Sequence, residues 1–262
     1  RSMLRKSSLR SLLLGLLACL SLPTMAVEAP AVAAASDLQF ALEAVAARFK
    51  ADSGRSVRLV FGSSGNFYRQ ISEGAPFQLF LSADERYVEQ LAAAGKTRDS
   101  GVLYAIGRIV LLAPQGAGLQ VDGELQGLRA ALAAGKIRRF AIANPEHAPY
   151  GQRAEEALRH ADLWGGLQGK LVLGENVSQA AQFATSGNAQ GGIIAYSLAL
   201  APSLAGRGEW ALIPQDWHQP LRQRMVLLNT ANATSEAFYR YLQEPAARAI
   251  MADYGFTLPA AE

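Results

Sequence analysis

The chain has 262 residues, of which 50% are hydrophobic and 18% are charged, which is ample material for the core of a soluble globular protein. The formal net charge of +3 arises in the first 26 residues, which hold four of the 25 Lys and Arg residues and no acidic residue. The other 21 basic residues are balanced by 22 acidic ones, so the charge excludes a generally basic chain and we expect no nucleic-acid partner.

Residues 1–26 have the three parts of a secretory signal peptide. Arg5, Lys6 and Arg10 form the basic region, residues 11–22 form the apolar region, and Thr24-Met25-Ala26 is a small-residue cleavage site. The apolar run is shorter than the roughly 20 residues that span a bilayer, which favours cleavage over a membrane anchor. We therefore expect export of the chain and removal of residues 1–26.

The single cysteine, Cys19, lies inside this signal. The mature protein is therefore expected to have no disulfide, no thiol nucleophile and no cysteine metal site. The residues Leu16-Leu17-Ala18-Cys19 resemble a lipoprotein cleavage box, so lipid anchoring at Cys19 is the alternative to cleavage after Ala26.

Beyond the signal, strand-like and helix-like segments alternate, which is typical of an α/β protein with a largely parallel sheet. Strands are predicted over 31–35, 57–61, 78–81, 104–113, 139–143, 171–173, 192–195, 210–213 and 224–228. Helices are predicted over 38–50, 67–72, 85–94, 125–134, 151–161, 178–185, 235–241 and 246–254. The run over 104–113, YAIGRIVLLA, is the longest of the strands.

Two strand–loop–helix series joined by long strands predict two lobes, with the chain crossing near residue 106 and returning near residue 224. Residues 27–105 together with 224–262 form the first predicted lobe, and residues 106–223 form the second. A ligand cleft lined by the N-termini of helices is expected between them.

Four predicted helices begin at small or hydroxyl-bearing residues. The junctions are Ser36-Asp37, Ser63-Ser64-Gly65, Pro149-Tyr150-Gly151 and Asn176-Val177-Ser178. The N-terminus of a helix presents unpaired N–H groups and the positive end of the helix dipole, so it can bind an anion without a charged side chain. Ordinary helix capping explains each junction taken alone.

Motifs for catalysis or metal binding are weak. The segment Gly62-Ser63-Ser64-Gly65 lacks the Gly-x-Ser-x-Gly order of a nucleophile elbow. The three histidines, His147, His160 and His218, do not have a metal-ligand spacing, and no Gly-x-x-x-x-Gly-Lys phosphate loop is present. We interpret Glu146 and His147 as a solvated loop pair.

Several segments taken in order resemble the periplasmic molybdate-binding proteins of ABC transporters. The resemblance covers roughly residues 31–258 and is carried by FGSSGNFYRQISEGAPFQLFLSAD, ANPEHAPYG, GENVSQA, GGIIAYS and YGF. It implies a two-lobed periplasmic binding protein of type II, an α/β fold in which each lobe is a mostly parallel sheet flanked by helices. Such a protein closes on one tetrahedral oxyanion, molybdate or tungstate, and delivers it to a membrane permease with its ATPase.

The resemblance also implies the residues that hold the anion. They are Ser36 with the adjacent Asp37, Ser64, Tyr150 and the backbone N–H of Val177, with Ser63 and Tyr196 as neighbouring alternatives. These groups bind the oxygens of molybdate, so no residue is a direct metal ligand. The resemblance further implies a monomeric periplasmic protein with no enzymatic activity and no cofactor.

Two positions bear on this set. Family members carry a phenolic hydroxyl either on the strand after Gly-Ile or in the Pro-x-Gly turn. Here the strand position is Ala195 and the turn carries Tyr150. Tyr196 is one residue further along and is therefore expected on the opposite face of its strand. Asp37 stands where an amide or an apolar residue is common. A carboxylate aimed at a dianion would be repelled by about 1 to 4 kcal/mol, so we expect Asp37 to offer its backbone N–H and to turn its side chain away, where it could cap the first helix.

Three alternatives stay open. The chain could bind sulfate or another small oxyanion, since sulfate presents the same charge and hydrogen-bonding pattern and differs mainly in size. A secreted hydrolase using Ser63 or Ser64 is an alternative of another class, and turnover of simple esters would favour it. A surface adhesion or signalling module on the same fold is the third, and failure to bind any oxyanion would favour that one.

Overall fold

The computed structural model describes residues 28–260. The predicted signal peptide, residues 1–26 with Cys19, lies outside the described residues. Ten strands form two five-stranded sheets. The strands are β1 Ala31–Ala35, β2 Arg58–Gly62, β3 Leu79–Ser82, β4 Val102–Gly107, β5 Ile109–Pro114, β6 Phe140–Ala143, β7 Leu171–Gly174, β8 Gly191–Ala195, β9 Gly208–Leu212 and β10 Leu221–Leu227.

Helices connect and cover these strands. They are α1 Gln39–Ser53, α2 Ser64–Ser72, α3 Glu85–Ala93, α4 Gln126–Ala133, α5 Pro149–His160, α6 Trp164–Leu167, α7 Val177–Thr185, α8 Tyr196–Ala199, α9 Ala233–Tyr241 and α10 Pro245–Asp253, with short 3-10 helices at Ser36–Leu38 and Gln215–Trp217. The short helices α6 and α8 were not predicted, because four residues are too few to show helical periodicity.

The two sheets have the same plan. The first has the order β2-β1-β3-β10-β4 and the second has the order β7-β6-β8-β5-β9. In the first sheet β1 is parallel to β2 and β3, whereas β10 is antiparallel to both of its neighbours. In the second sheet β6 is parallel to β7 and β8, whereas β5 is antiparallel to β8 and β9. The α/β architecture is confirmed.

Strand β1 shows why the first sheet is buried on both faces. All five of its residues, Ala31–Ala35, are buried. Val32 and Ala34 pack into the cluster that contains residues of α1 and α10, whereas Ala33 packs with residues of α2 and α3 on the other face. Small and apolar side chains on both faces are what a strand between two helical layers requires.

The segment predicted as one strand over 104–113 is divided between the sheets. Strand β4 ends at Gly107 in the first sheet, Arg108 lies between the sheets, and β5 begins at Ile109 in the second sheet. The chain returns to the first sheet between Leu212 and Leu221. The predicted lobe limits at 105/106 and 223/224 fall inside β4 and β10, and the assignment of these residue ranges to the two lobes stays a prediction.

Within residues 28–260, no helix has the length and apolar character needed to cross a membrane.

Candidate functional site

A small, partly open cavity brings the four predicted helix N-termini together. The space between its walls, including its open mouth, is about 190 Å³. It is lined by Ala35, Ser36, Asp37, Gly62, Ser63, Ser64, Ala83, Ala148, Pro149, Tyr150 and Val177. The cavity lies beyond the carboxyl ends of β1, β2 and β6, which is the usual place for a ligand in an open α/β sheet. Six of the seven predicted site residues therefore line the same cavity, all except Tyr196: Ser36, Asp37, Ser63, Ser64, Tyr150 and Val177.

Ser36 is the first residue of the 3-10 helix that follows β1. Its hydroxyl oxygen accepts a hydrogen bond from the backbone N–H of Ser178 at 3.2 Å, and the Ser178 hydroxyl donates to Gln39 Oε1 at 2.6 Å. Ser178 belongs to α7, next to the second sheet, so Ser36 contacts both sides of the cavity.

Ser64 is the first residue of α2 and is fully buried. Its hydroxyl oxygen accepts a hydrogen bond from the backbone N–H of Ala83 at 2.9 Å. A hydroxyl can accept and donate at the same time, so this contact leaves the Ser64 proton available to an acceptor in the cavity. Helix α2 therefore offers a fixed donor here.

Gly65, the next residue, lets α2 approach the opposite loop. Its backbone N–H donates to the carbonyl oxygen of His147 at 2.9 Å. A Cβ atom at position 65 would lie 2.7 Å from that same oxygen, which is closer than real Cβ contacts. Glycine is thus required for the two sides of the cavity to meet at this point.

Ser63 makes a second contact with His147. The Ser63 hydroxyl lies 2.8 Å from His147 Nδ1, and the imidazole is only 15% exposed. The interpretation of Glu146 and His147 as a solvated pair holds for Glu146, which is exposed, and is wrong for His147. The sequence distance of 84 residues between Ser63 and His147 hid this contact.

Tyr150 is the centre of a buried chain of hydrogen bonds. Its hydroxyl donates to Asp37 Oδ2 at 2.9 Å and accepts from Gln223 Nε2 at 2.9 Å. Gln223 Oε1 in turn accepts from the hydroxyl of Tyr104 at 3.0 Å. Burial and the nearby Asp37 carboxyl both raise the pKa of the Tyr150 and Tyr104 hydroxyls, so both are neutral donors at physiological pH.

Asp37 is buried on the cavity wall, with 1% of its surface exposed. Burial raises the pKa of its carboxyl from 3.8 to about 7, although the amide of Gln223, the Tyr150 hydroxyl and nearby backbone N–H groups favour the ionised form. Its Oδ1 atom has no hydrogen-bond partner. The side chain does not cap the first helix, since neither the 3-10 helix nor α1 has a side-chain cap.

Val177 and Tyr196 occupy different places. Val177 is the first residue of α7, is buried against the cavity, and follows the helix cap Asn176, whose side chain accepts from the N–H of Gln179 at 3.0 Å. Tyr196 begins α8 instead of ending the strand, and its ring packs on Trp210 with 5.2 Å between ring centroids. Tyr196 does not line the cavity.

Sequence reasoning missed Gln223, Tyr104 and Ser197. Gln223 is fully buried on β10, and the hydroxyl of Ser197 donates to the backbone carbonyl of Asp37 at 2.8 Å. A glutamine flanked by Arg222 and Arg224 in a strand could have signalled a buried polar face by alternation. Nothing in the sequence indicates the partner that such a residue meets.

The cavity can hold a small anion through neutral donors. Its lining contains hydroxyls, helix N-termini and no Lys or Arg side chain. In the part of the chain that the structure describes, no group of three or more His, Cys, Asp or Glu side chains could hold a metal ion. The arrangement favours an acceptor-rich ligand over a bare cation.

Comparisons with known proteins agree with this reading. Residues 30–257 match the family described as bacterial extracellular solute-binding protein. The molybdate-binding protein ModA of Rhodobacter capsulatus is 37% identical over 246 residues, which are 93% of each chain. The solved structure of the Azotobacter vinelandii periplasmic molybdate-binding protein is 31% identical with a TM-score of 0.78 and covers 88% of this chain and 99% of that one.

A solved sulfate-binding protein shares the fold. SubI from Mycobacterium tuberculosis is 16% identical with a TM-score of 0.72. The match covers 88% of this chain and 87% of the SubI chain. At that identity the likeness shows the architecture and leaves the ligand open. The two-lobed type II fold is confirmed by these structures together with the two sheets. The chain therefore belongs to the bacterial extracellular solute-binding proteins and, among them, to the family of the ModA molybdate-binding proteins.

Proposed function

We propose that this protein captures molybdate in the periplasm and delivers it to an ABC permease and its ATPase for import. The observation that carries the proposal is the cavity, where Ser36, Ser64, Tyr150 and Val177 from both sheets converge, in a chain that is 37% identical to a molybdate-binding protein. The anion is held through its oxygens, without a cofactor and without catalysis, by a monomer.

The chemistry of the anion supports this choice. Molybdate is fully deprotonated at neutral pH and presents only acceptors, which the hydroxyl and N–H donors of the cavity complement. A buried hydrogen bond to a charged partner contributes about 1.5 to 3 kcal/mol, so a few such donors can replace the hydration of the anion. Tungstate has the same shape and charge, and we expect it to bind comparably.

The contacts across the cavity support binding by closure. Asp37 and Ser36 follow β1 of the first sheet, whereas Tyr150, Ser178 and Ser197 belong to helices of the second sheet, and hydrogen bonds join the two groups. Apart from Gly62 and Pro149, the residues that line the cavity are at most 4% exposed, so we expect an anion to enter after these contacts open. An anion that touches both sides stabilises the closed arrangement, in which residues 27–105 with 224–262 and residues 106–223 act as the two lobes.

Isothermal titration tests the proposal. The chain without residues 1–26 is titrated with molybdate, tungstate, sulfate and phosphate in turn. We expect one-to-one binding of molybdate and tungstate, and no binding of the other two. Tight sulfate binding would assign the site to a smaller oxyanion, and no heat with any of the four would remove the transport function.

A hydrolase is the second candidate, because one observation favours it. The Ser63 hydroxyl is 2.8 Å from His147 Nδ1, and His147 Nε2 is 3.7 Å from Glu175 Oε2, which resembles a nucleophile–base–acid order. Against it, the Glu175 side chain is 72% exposed and Ser63 is buried. Turnover of p-nitrophenyl acetate that disappears in Ser63→Ala would support the hydrolase, and we expect none.

A further inference from the structure

Asp37 is a carboxyl group on the wall of a cavity built for an anion. It is 1% exposed, its Oδ1 has no hydrogen-bond partner, and no Lys or Arg lines the same cavity. An ionised Asp37 would be a buried charge that receives hydrogen bonds but has no positively charged partner, which is costly by itself. A dianion beside it would place two further negative charges in the same space.

The hydrogen-bond chain limits what Tyr150 can donate. The hydroxyl of Tyr104 donates to Gln223 Oε1, and this contact directs the amide group of Gln223 at the oxygen of Tyr150. Tyr150 has one proton, so it can serve either Asp37 or an anion. If the proton turns to the anion, Asp37 Oδ2 loses the hydroxyl that now lies 2.9 Å away.

We propose that Asp37 binds the anion as a neutral carboxylic acid, so that each dianion enters the site together with one proton taken from solvent. This inference rests on the proposed anion-binding function. Protonation of Asp37 removes the repulsion between the carboxylate and the dianion. A proton on Oδ1, the oxygen without a partner, can then be donated in a hydrogen bond to the anion. Asp37 is then a specificity-determining residue whose side chain, and not only its backbone N–H, faces the ligand.

Within residues 28–260, no charged group near Asp37 offers an alternative source of compensation. Tyr150 and Tyr104 are the ionisable groups in its hydrogen-bond chain, and both are neutral. Of the elements packed against the 3-10 helix, α7 has no charged residue and α8 contributes Tyr196 only. The charged residues of α1 and β2 are all exposed: Glu43, Arg48, Lys50, Asp52 and Arg58.

Charges on the other neighbouring elements are engaged elsewhere. On β10, Arg222 and Arg224 bind Glu85 at 2.7 and 3.4 Å, on the strand face opposite Gln223. On α5, Arg153 binds Glu156 at 2.8 Å, and Glu155 pairs with Arg159 on the helix surface. His160 of the same helix stacks on Trp217. His147 reaches the cavity wall through its contact with Ser63.

The electrostatics of the cavity also favour the neutral form of Asp37. Burial already raises the pKa of the Asp37 carboxyl to about 7, and a dianion in contact raises it further because like charges disfavour ionisation. The proton is therefore gained on binding and closure, and released when the anion leaves.

Calorimetry in buffers of different ionisation enthalpy measures this proton directly. Sodium molybdate is titrated into the chain without residues 1–26 in HEPES and in Tris at about pH 8, where we expect uptake approaching one proton, and near pH 6, where we expect less. Above about pH 7, the affinity should fall roughly tenfold per pH unit. Asp37→Asn should bind molybdate with no proton uptake and no such pH dependence, whereas His147→Gln should retain the uptake.

The outcomes separate the inference from the function on which it rests. Binding of molybdate by the unmodified chain without proton uptake at about pH 8, and with an affinity independent of pH, overturns the inference and leaves the transport function intact. Uptake that persists in Asp37→Asn and disappears in His147→Gln assigns the proton to His147 and also overturns it. Absence of molybdate binding removes the proposed function itself. If Asp37→Asn fails to fold, the pH dependence and proton uptake of the unmodified chain and of His147→Gln together still decide the matter.

Discussion

The hydroxyl of Tyr150, on a helix of the second sheet, lies 2.9 Å from the carboxylate of Asp37, which follows the first strand of the first sheet. This contact is one of those that join the two sides of the cavity, and it involves two residues that the sequence places in the site. Because the same hydroxyl accepts from Gln223, its orientation is fixed before a ligand arrives. A pre-oriented donor loses little entropy on binding.

Removal of that hydroxyl should weaken anion binding. Tyr150→Phe leaves the ring in place and removes the donor, so we expect the affinity for molybdate to fall by about 1 to 3 kcal/mol, with titration calorimetry as the measurement. Tyr196→Phe is the matched control, because Tyr196 packs on Trp210 away from the cavity. Equal affinity of Tyr150→Phe and the unmodified protein would take Tyr150 out of the site.

The two serines of the α2 junction should respond differently. Ser64→Ala removes a fully buried hydroxyl that lines the cavity, and we expect a loss of about 1 to 2 kcal/mol in molybdate affinity. The Ser63 hydroxyl is already hydrogen-bonded to His147, so Ser63→Ala should affect molybdate affinity less. Titration of both variants with molybdate decides between them, and a larger loss in Ser63→Ala would reverse the assignment.

Gly107 tests how precisely Tyr150 must be placed. A Cβ atom at this position would overlap the Tyr150 hydroxyl and lie 2.7 Å from Gln223 Nε2. Gly107→Ala should therefore displace the hydroxyl and lower both molybdate affinity and melting temperature, with an overpacking cost of about 1 to 3 kcal/mol. Gly165→Ala is the control, since nothing lies within 4 Å of a Cβ atom there. If the two variants behave alike, the Tyr150 hydroxyl tolerates displacement.

The sequence predicts most of the architecture and those site residues that lie at helix N-termini. Hydrophobic runs locate β1 and β3, and the junctions at Ser36, Ser64 and Val177 locate helix N-termini, because strand burial and helix capping are local properties. The sequence predicts a crossing near residue 106 but a single strand over 104–113, which the structure divides at Arg108. An apolar run can continue in one sheet or pass into another, and composition does not distinguish the two.

Residues that meet across the chain were harder to find. Tyr150 and Asp37 are 113 positions apart, and Tyr104 and Gln223 are 119 apart. Periodicity carries no information about such pairs, and only the closed fold brings them together. The expectation that Asp37 caps the first helix was wrong for the same reason, because its hydrogen-bond partner comes from a distant helix.

Asp37 should also make the stability of the ligand-free protein depend on pH. The pKa of its carboxyl is 3.8 when unperturbed and about 7 in the folded protein. Below about pH 4 both folded and unfolded chains carry the proton, so ionisation costs nothing there. Between about pH 4 and pH 7 the unfolded chain ionises while the folded one does not, and the free energy of unfolding falls as pH rises. The loss is complete above about pH 7 and amounts to at most about 4 kcal/mol.

Asp37→Asn removes this dependence and keeps the acceptor for Tyr150. We expect its melting temperature to exceed that of the unmodified protein at about pH 8, by about 2 to 4 °C for each kcal/mol recovered, and to exceed it less near pH 5. Thermal unfolding followed by circular dichroism at both pH values, without ligand, is the measurement. A difference between the two proteins that is the same at both pH values would mean that Asp37 is already ionised near pH 5 in the folded protein, and that its folded pKa is not raised above the unperturbed value. That result would require a donor or a cation for Oδ1 when the cavity is closed, because an ionised oxygen without a partner has the opposite effect on stability.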